Sequence, residues 1–252
     1  MLGIIKSGFV FSLVTGSLTC DKYKSEIYMK KIAFFDFDNT IYNGYTYQDF
    51  IDHASKAILK TNKFQNKTKH ILQIASNYND IVSGIAEVVG EIIKGWSRKK
   101  FGEYCRISCN RRKIANWVKP VTDFLKLNNF ENIIVTASFE EMIADSLEAL
   151  QIDKTYCSTF KLAENKYNGK IKLLLNEDKK VNVIRNEISN KDTFSIAFGD
   201  SMGDAPMLDA VDLPFLVRSY NLEIENIAKQ KNWFLGTDSD AIIKEIQKKI
   251  MI

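Results

Sequence analysis

Short apolar runs recur at IAFF (32–35), NIIV (132–135), FSIAF (194–198), PFLV (214–217) and WFL (233–235), each the length of a strand and too short for a helix. Between them the apolar residues change period. Ile143, Leu147 and Leu150 share a helical face after the second run, and Val181, Ile184 and Ile188 share one before the third. Ile242, Ile243, Ile246 and Ile250 mark a last helix. A strand that is apolar at every position is covered on both sides, and helices between the strands supply the cover. The pattern predicts an α/β protein with a Rossmann-like parallel sheet core and helices on both faces.

One segment breaks the alternation. From about Tyr47 to Asn116 the spacing is helical throughout, with one stripe at Ile81, Ile85, Val88 and Ile92 and another at Phe50, Ala54 and Ile58. A helical insertion directly after the first strand sits above the carboxyl edge of the sheet, where open α/β folds bind ligands. The reading is therefore a core at 29–45 and 117–252 with a helical cap at 46–116. Further on, Tyr167-Asn168-Gly169-Lys170 carries the Asn-Gly pair of a two-residue hairpin turn, which predicts a small β-hairpin after the second helix.

Bulk properties exclude several classes. A chain of 252 residues can bury one sizeable core and a small second one. Its formal charge of +4 is mild and its lysines are interspersed with acids, which describes solvated faces and not a nucleic-acid surface. Cys20, Cys105, Cys109 and Cys157 form no CxxC pair and have no histidine nearby, so reduced structural thiols are expected and a zinc site is not. His53 and His70 read as surface or packing residues of the cap. Residues 1–28 have a roughly signal-like profile, too short and interrupted for stable membrane insertion. Met29 opens a clean first strand, so 1–28 reads as an N-terminal extension and the protein as cytoplasmic; export or lipid anchoring is the alternative if the segment acts as a signal. The oligomeric state is not legible.

The first strand delivers Asp36 and Asp38 into a polar stretch, DFDNTIYNG. Like charges this close resist ionising together. A pair of turn or capping aspartates is the plain explanation. A calcium loop fails on counting, because the turn glycine position falls on Ile41 and the closing glutamate on Tyr47. A phosphoryl-transfer site needs further acids and a phosphate cradle at the ends of other strands. The chain has them: GDSMGDAPML follows the third run with Asp200 and Asp204, Thr136 follows the second, and Lys180 precedes the helix of Val181.

In that order, DFDNT, IIVTAS, a lysine before a helix and GDSMGD resemble the haloacid dehalogenase-like (HAD) superfamily of hydrolases, from about Met29 to the C-terminus. The helical insertion, GWSRKKF (95–101) leading to WVKP (117–120), and TASFEEMI (136–143) followed by a hairpin are similar to subfamily IB, which includes phosphoserine phosphatase. The resemblance implies a Mg2+-dependent phosphomonoesterase. Asp36 would be the nucleophile that forms an aspartyl-phosphate, and Asp38 the general acid and base. The metal would be held by Asp36, the backbone carbonyl of Asp38, and Asp200. Thr136 and Lys180 would hold the phosphoryl oxygens, and Asp204 would anchor Lys180 or a metal-bound water. Lys179 is the rival for the lysine; Lys180 matches the family pattern by directly preceding the helix valine.

Substrate choice is where the resemblance weakens. Phosphoserine phosphatases carry a glutamate shortly after the first motif, whereas NGYTYQDF has a tyrosine at that offset, and Ala137-Ser138 replaces the usual double glycine. Phosphoserine is therefore disfavoured against other small-molecule or lipid phosphates. Tyr42, Tyr45, Tyr47 and Phe50 would either face an apolar part of the substrate or pack the cap on the core. Arg98, Arg106, Arg111 and Arg112 would either meet an anionic substrate or form a solvated face. A phosphotransferase or phosphomutase would share the intermediate. A binding protein on an inactive hydrolase fold would have lost a motif residue, and none is missing. No G-x-G-x-x-G follows the first strand, against a dinucleotide enzyme.

Overall fold

The computed structural model describes residues 29–189, 192–219 and 221–250; the N-terminal extension lies outside them. Seven strands form one sheet in the order β4-β3-β2-β1-β5-β6-β7. They are β1 (Lys30–Phe35), β2 (Phe130–Phe139), β3 (Lys154–Ala163), β4 (Lys166–Leu173), β5 (Thr193–Gly199), β6 (Leu213–Leu216) and β7 (Phe234–Leu235). All neighbours pair in parallel except β3 and β4. From β1 the chain winds outward to β4, then returns to β5 and winds the other way. The reversal point lies between β1 and β5, and crevices at such points are where doubly wound sheets bind ligands.

The central strand shows why both faces are covered. Ala33 and Phe35 point into one core with Val118, Val121 and Leu125 of α5 (Val118–Leu127) and Ile242 and Ile246 of α10 (Ser239–Ile250). Ile32 and Phe34 point the other way, towards Ile184 of α7 (Glu177–Glu187), Leu208 of α8 (Ala205–Leu208), and Ile224 and Ala228 of α9 (Leu222–Gln230). This is the period of two expected of a strand. Across β1, β5 and β6, the rings of Phe35, Phe198 and Phe215 stack with centroids 4.6 and 4.7 Å apart.

The stretch after β1 is helical, as its periodicity predicts: α1 (Thr46–Ala54), α2 (Lys63–Ile74), α3 (Tyr78–Ile93) and α4 (Arg98–Ser108). These helices share a third core, in which Phe50, Ala54, Ile85, Val88, Ile92 and Phe101 meet Phe139, Phe160, Tyr167 and Met142 of α6 (Glu140–Leu147). Asn77 caps α3 and Ser97 caps α4, each side-chain oxygen accepting from a backbone N–H in the first turn. The chain enters and leaves this insertion side by side: Asn43 N donates to Lys113 O at 2.7 Å and Ala115 N to Ile41 O at 2.8 Å. None of the helices among the described residues is long and apolar enough to cross a membrane.

The hairpin is present but its turn is not at Asn168-Gly169. Glu164 and Asn165 make the turn, with φ of 50° and 61°, the left-handed pair of a two-residue hairpin loop. Asn168 and Gly169 lie inside β4. Gly169 serves close approach instead: a Cβ on Gly90 of α3 would lie 2.3 Å from Gly169 O. The helix thus rests on the strand backbone, and the neighbouring chain docks there too, with Gly95 N donating to Tyr167 O at 2.8 Å and Tyr167 N to Trp96 O at 2.9 Å.

Candidate active site

The ends of β1, β2 and β5 and the start of α7 bring the predicted residues together. Asp36 follows β1 directly, its N–H held by Phe198 O at 3.0 Å. Asn176 caps α7 by accepting from Lys179 N, so Lys180 extends from the first turn into the crevice. There its ammonium donates to Asp36 Oδ1 at 2.6 Å and Asp204 Oδ1 at 2.9 Å. Lys179 is exposed and donates to Leu174 O, which leaves Lys180 as the lysine at the carboxylates.

Each acid is held by a different set of donors. Asp200 Oδ2 accepts from Asn39 Nδ2 at 2.6 Å and Oδ1 from Thr40 Oγ1 at 3.3 Å. Asn39 sits at φ 59°, a conformation asparagine tolerates better than most residues. Asp204 is engaged on both oxygens, one by Lys180 and the other by Ser201 Oγ at 2.8 Å and the N–H groups of Asp200 and Ser201. Asp38 is half-buried and turned elsewhere: Oδ1 accepts from Thr46 N at 2.9 Å, and Oδ2 from Ser138 Oγ at 2.7 Å and Thr46 Oγ1 at 3.2 Å. Thr136 is buried in the last part of β2, just past the stretch paired with β1, and its Oγ1 accepts from Ser138 N at 3.2 Å.

The electrostatics follow from this crowding. Burial, then Asp204, push the Asp36 carboxyl up to about 7 against the opposing pull of Lys180. Burial, then Asp204 and Asp36, push Asp200 up to about 8. Burial also raises Asp38, although Ser138 and Thr46 hydrogen-bond its charged form. Burial works against the charge of Lys180, but Asp204 and Asp36 outweigh it and hold the ammonium well above its ordinary range.

Three carboxylates and one ammonium, all buried, leave two negative charges uncompensated when every group is ionised. Asp36, Asp200 and Asp204 offer oxygens within 4.8 Å of one another. This all-oxygen donor set with excess negative charge fits a hard divalent cation. Asp204 accepts from Lys180, Ser201 Oγ and two backbone N–H groups, whereas Asp200 accepts from Asn39 and Thr40 and Asp36 from Lys180, so Asp204 has the least remaining acceptor capacity of the three.

A cavity of about 270 Å³ opens above Asp36, Asp38, Thr136 and Asp200. Tyr45 and Tyr47 line it, whereas Tyr42 and Phe50 are fully buried in packing. Tyr42 donates to Asp49 Oδ2 at 2.5 Å. Arg98, Arg106 and Arg111 lie outside the cavity and pair with Glu140, Glu148 and Asp145 on the surface, and Arg112 lies on the exposed turn beside them. His53 packs near Tyr104 and is not at the site. Cys105, Cys109 and Cys157 are free thiols.

The sequence reading missed the holding residues: Asn39, Thr40, Thr46, Ser138 and Tyr78. Asn39 and Thr40 adjoin the first motif and Ser138 adjoins the second, so proximity was an available signal. Tyr78 had none. It starts α3, far along the chain, and its ring lies 5.7 Å from Lys180 Nζ and against the turn at Gly203.

A family model described as haloacid dehalogenase-like hydrolase matches residues 33–209. No curated protein sequence matches the chain. Among solved structures, a protein of unknown function from Bordetella pertussis Tohama I superposes with TM-score 0.70 at 17% identity, over 82% of this chain and 98% of that one. A substrate-bound phosphoserine phosphatase gives 0.63 at 18% identity, over 87% and 98% of the two chains. A phosphoserine phosphohydrolase-like protein from Francisella tularensis subsp. tularensis SCHU S4 gives 0.63 at 16%, over 86% and 99%. These likenesses establish the shared fold. The family model spans the motif residues from β1 to Asp204, and the chain belongs to the haloacid dehalogenase-like hydrolase family.

Proposed function

We propose that the protein is a phosphomonoester hydrolase that works through an aspartyl-phosphate on Asp36, with helices α1–α4 as a cap over the core. The observation that carries this reading is the convergence of Asp36, Asp38, Thr136 and Asp200 on one cavity, with Lys180 bound to Asp36 beneath it. Mg2+ would be held by Asp36, the backbone carbonyl of Asp38 and Asp200. It would supply positive charge that keeps these acids ionised and offsets charge on the phosphoryl oxygens.

In the first step a carboxylate oxygen of Asp36 attacks phosphorus, and the bond from phosphorus to the leaving oxygen breaks. Asp38, oriented by Ser138 and Thr46, gives that oxygen a proton. In the second step water attacks the aspartyl-phosphate, Asp38 takes a proton from it, and inorganic phosphate leaves with Asp36 restored. Thr136 and Lys180 hold phosphoryl oxygens, and Asp204 keeps Lys180 in place. The paired segments at 41–43 and 113–115 give the cap two adjacent hinges, so closure would exclude bulk water and opening would release product.

The test is phosphate release from an aryl phosphate with magnesium and with excess chelator, for wild type and Asp36→Asn. Activity should require both magnesium and Asp36. Turnover of Asp36→Asn at the wild-type rate would rule out the nucleophile.

A further inference from the structure

Above its acidic floor the cavity changes character. Leu72 from α2, Ile81, Val82 and Ile85 from α3, and Phe139 and Met142 beneath the insertion make its walls. Asp36, Asp38 and Asp200 are the charged residues in that lining; lysine, arginine, histidine and glutamate do not occur in it. Three basic residues of the insertion pair outside the cavity: Arg98 with Glu140 at 2.7 Å, Arg106 with Glu148 at 3.1 Å, and Lys113 with Asp49 at 2.6 Å. The apolar wall also reaches solvent, because Leu72 and Tyr45 are 44% and 47% exposed at the cavity surface.

These walls discriminate between leaving groups. An ammonium, carboxylate or second phosphate set against Leu72, Ile81, Val82, Ile85, Phe139 and Met142 would give up water without meeting a charged partner above the acidic floor, which is costly. An apolar alcohol would gain from burial. Resting on the phosphatase reading above, we propose that the physiological substrate is the phosphate monoester of an uncharged, apolar alcohol, aryl or alkyl, whose hydrocarbon lies between α2 and α3. A chain longer than the cavity would leave over Leu72 and Tyr45. Phosphoserine and nucleotides would be poor substrates.

The experiment compares kcat/KM with magnesium for ethyl, butyl, hexyl and octyl phosphate, phenyl phosphate, O-phosphoserine and phosphoethanolamine, with acetyl phosphate as a substrate too small to reach the walls. For the alkyl series kcat/KM should rise about threefold to fourfold per buried methylene, and phosphoserine should fall well below hexyl phosphate. Leu72→Asn, a change at a half-exposed position, should flatten the gain at the longer chains. Whether phenyl or octyl phosphate ranks higher separates a small aryl substrate from a lipid-like one. Hydrolysis of acetyl phosphate with no preference for alkyl over charged esters would overturn the apolar-substrate proposal and leave the phosphatase reading standing. No magnesium-dependent hydrolysis of any substrate, acetyl phosphate included, would overturn both.

Discussion

Lys180 Nζ lies 2.6 Å from Asp36 Oδ1, and both side chains are almost completely buried. The ammonium is bound on its other side by Asp204 at 2.9 Å. Lys180 is thus the positive charge that makes this end of the sheet tolerable in the absence of a metal ion, in addition to any part it plays in catalysis. Removing one partner of a buried ion pair leaves the others charged and unpaired, at a cost of about 3–5 kcal/mol.

Lys180→Ala should therefore lose about 3–5 kcal/mol of stability at pH 8. At pH 5 the loss should be smaller, because Asp36, raised to about 7 by burial and Asp204, is then protonated and needs no counter-charge. Urea unfolding of metal-free protein at the two pH values measures the difference. Equal losses at both would show that Lys180 does not stabilise through charge.

Asp200 gives a second pH signature. Its carboxyl is raised to about 8 in the folded protein against about 3.9 in the unfolded chain. Between those values the folded state binds more protons, so stability is fully present below pH 4 and falls as pH rises towards 8. Asp200→Asn removes this contribution while keeping an acceptor for Asn39. In metal-free protein the variant should show a shallower fall of Tm from pH 5 to 8 and melt above wild type at pH 8, with about 2–4 °C for each kcal/mol. Magnesium should narrow the gap at pH 8 by stabilising wild type more. A variant that melts lower at every pH would contradict the assignment.

The legibility of the sequence varied with the range of the physics involved. Strand runs, helical stripes and the insertion were readable because burial writes its period locally, as at Ile32 to Phe35 and Ile85 to Ile92. Asp36, Asp38 and Asp200 were readable because each lies at or just past the end of a strand. The hairpin turn was misread because Asn168-Gly169 has the composition of a turn but answers a tertiary demand, the close approach of Gly90. Glu164-Asn165 carries no such signature and makes the turn nonetheless. Tyr78 and the division of Tyr42 from Tyr45 depend on how the insertion docks, which no local pattern records.

Ser138 and Asp38 form the next testable pair. The Ser138 hydroxyl donates to Asp38 Oδ2 at 2.7 Å and lies 3.3 Å from Thr46 Oγ1, which donates to the same carboxylate oxygen. If Asp38 transfers the proton, losing this support should lower kcat and leave KM nearly unchanged, because the group that orients Asp38 is lost and not a substrate contact. Ser138→Ala should cost about 10- to 100-fold in kcat, the scale of losing a supporting hydrogen bond behind a reactive group. Ser138→Thr, which retains the hydroxyl, should recover most of it. A kcat unchanged in Ser138→Ala would mean that Thr46 positions Asp38 without help.

Gly90 tests how the cavity wall is mounted. A Cβ there would stand 2.3 Å from Gly169 O and 3.3 Å from the Phe160 ring, and the first obstacle is strand backbone that cannot rotate away. Gly90→Ala gains helix propensity, worth about 1 kcal/mol in an unconstrained helix, but must push α3 off β4. Overpacking of this kind costs about 1–3 kcal/mol, and the contact at 2.3 Å is closer than any real one, so the steric cost should win. Because Ile81, Val82 and Ile85 ride on the same helix, the displacement should also reshape the cavity above the acids. The expected result is a lower Tm together with a raised KM for hydrocarbon esters and little change for acetyl phosphate. If Gly90→Ala proves more stable than wild type, α3 does not rest on β4 as closely as the structure has it.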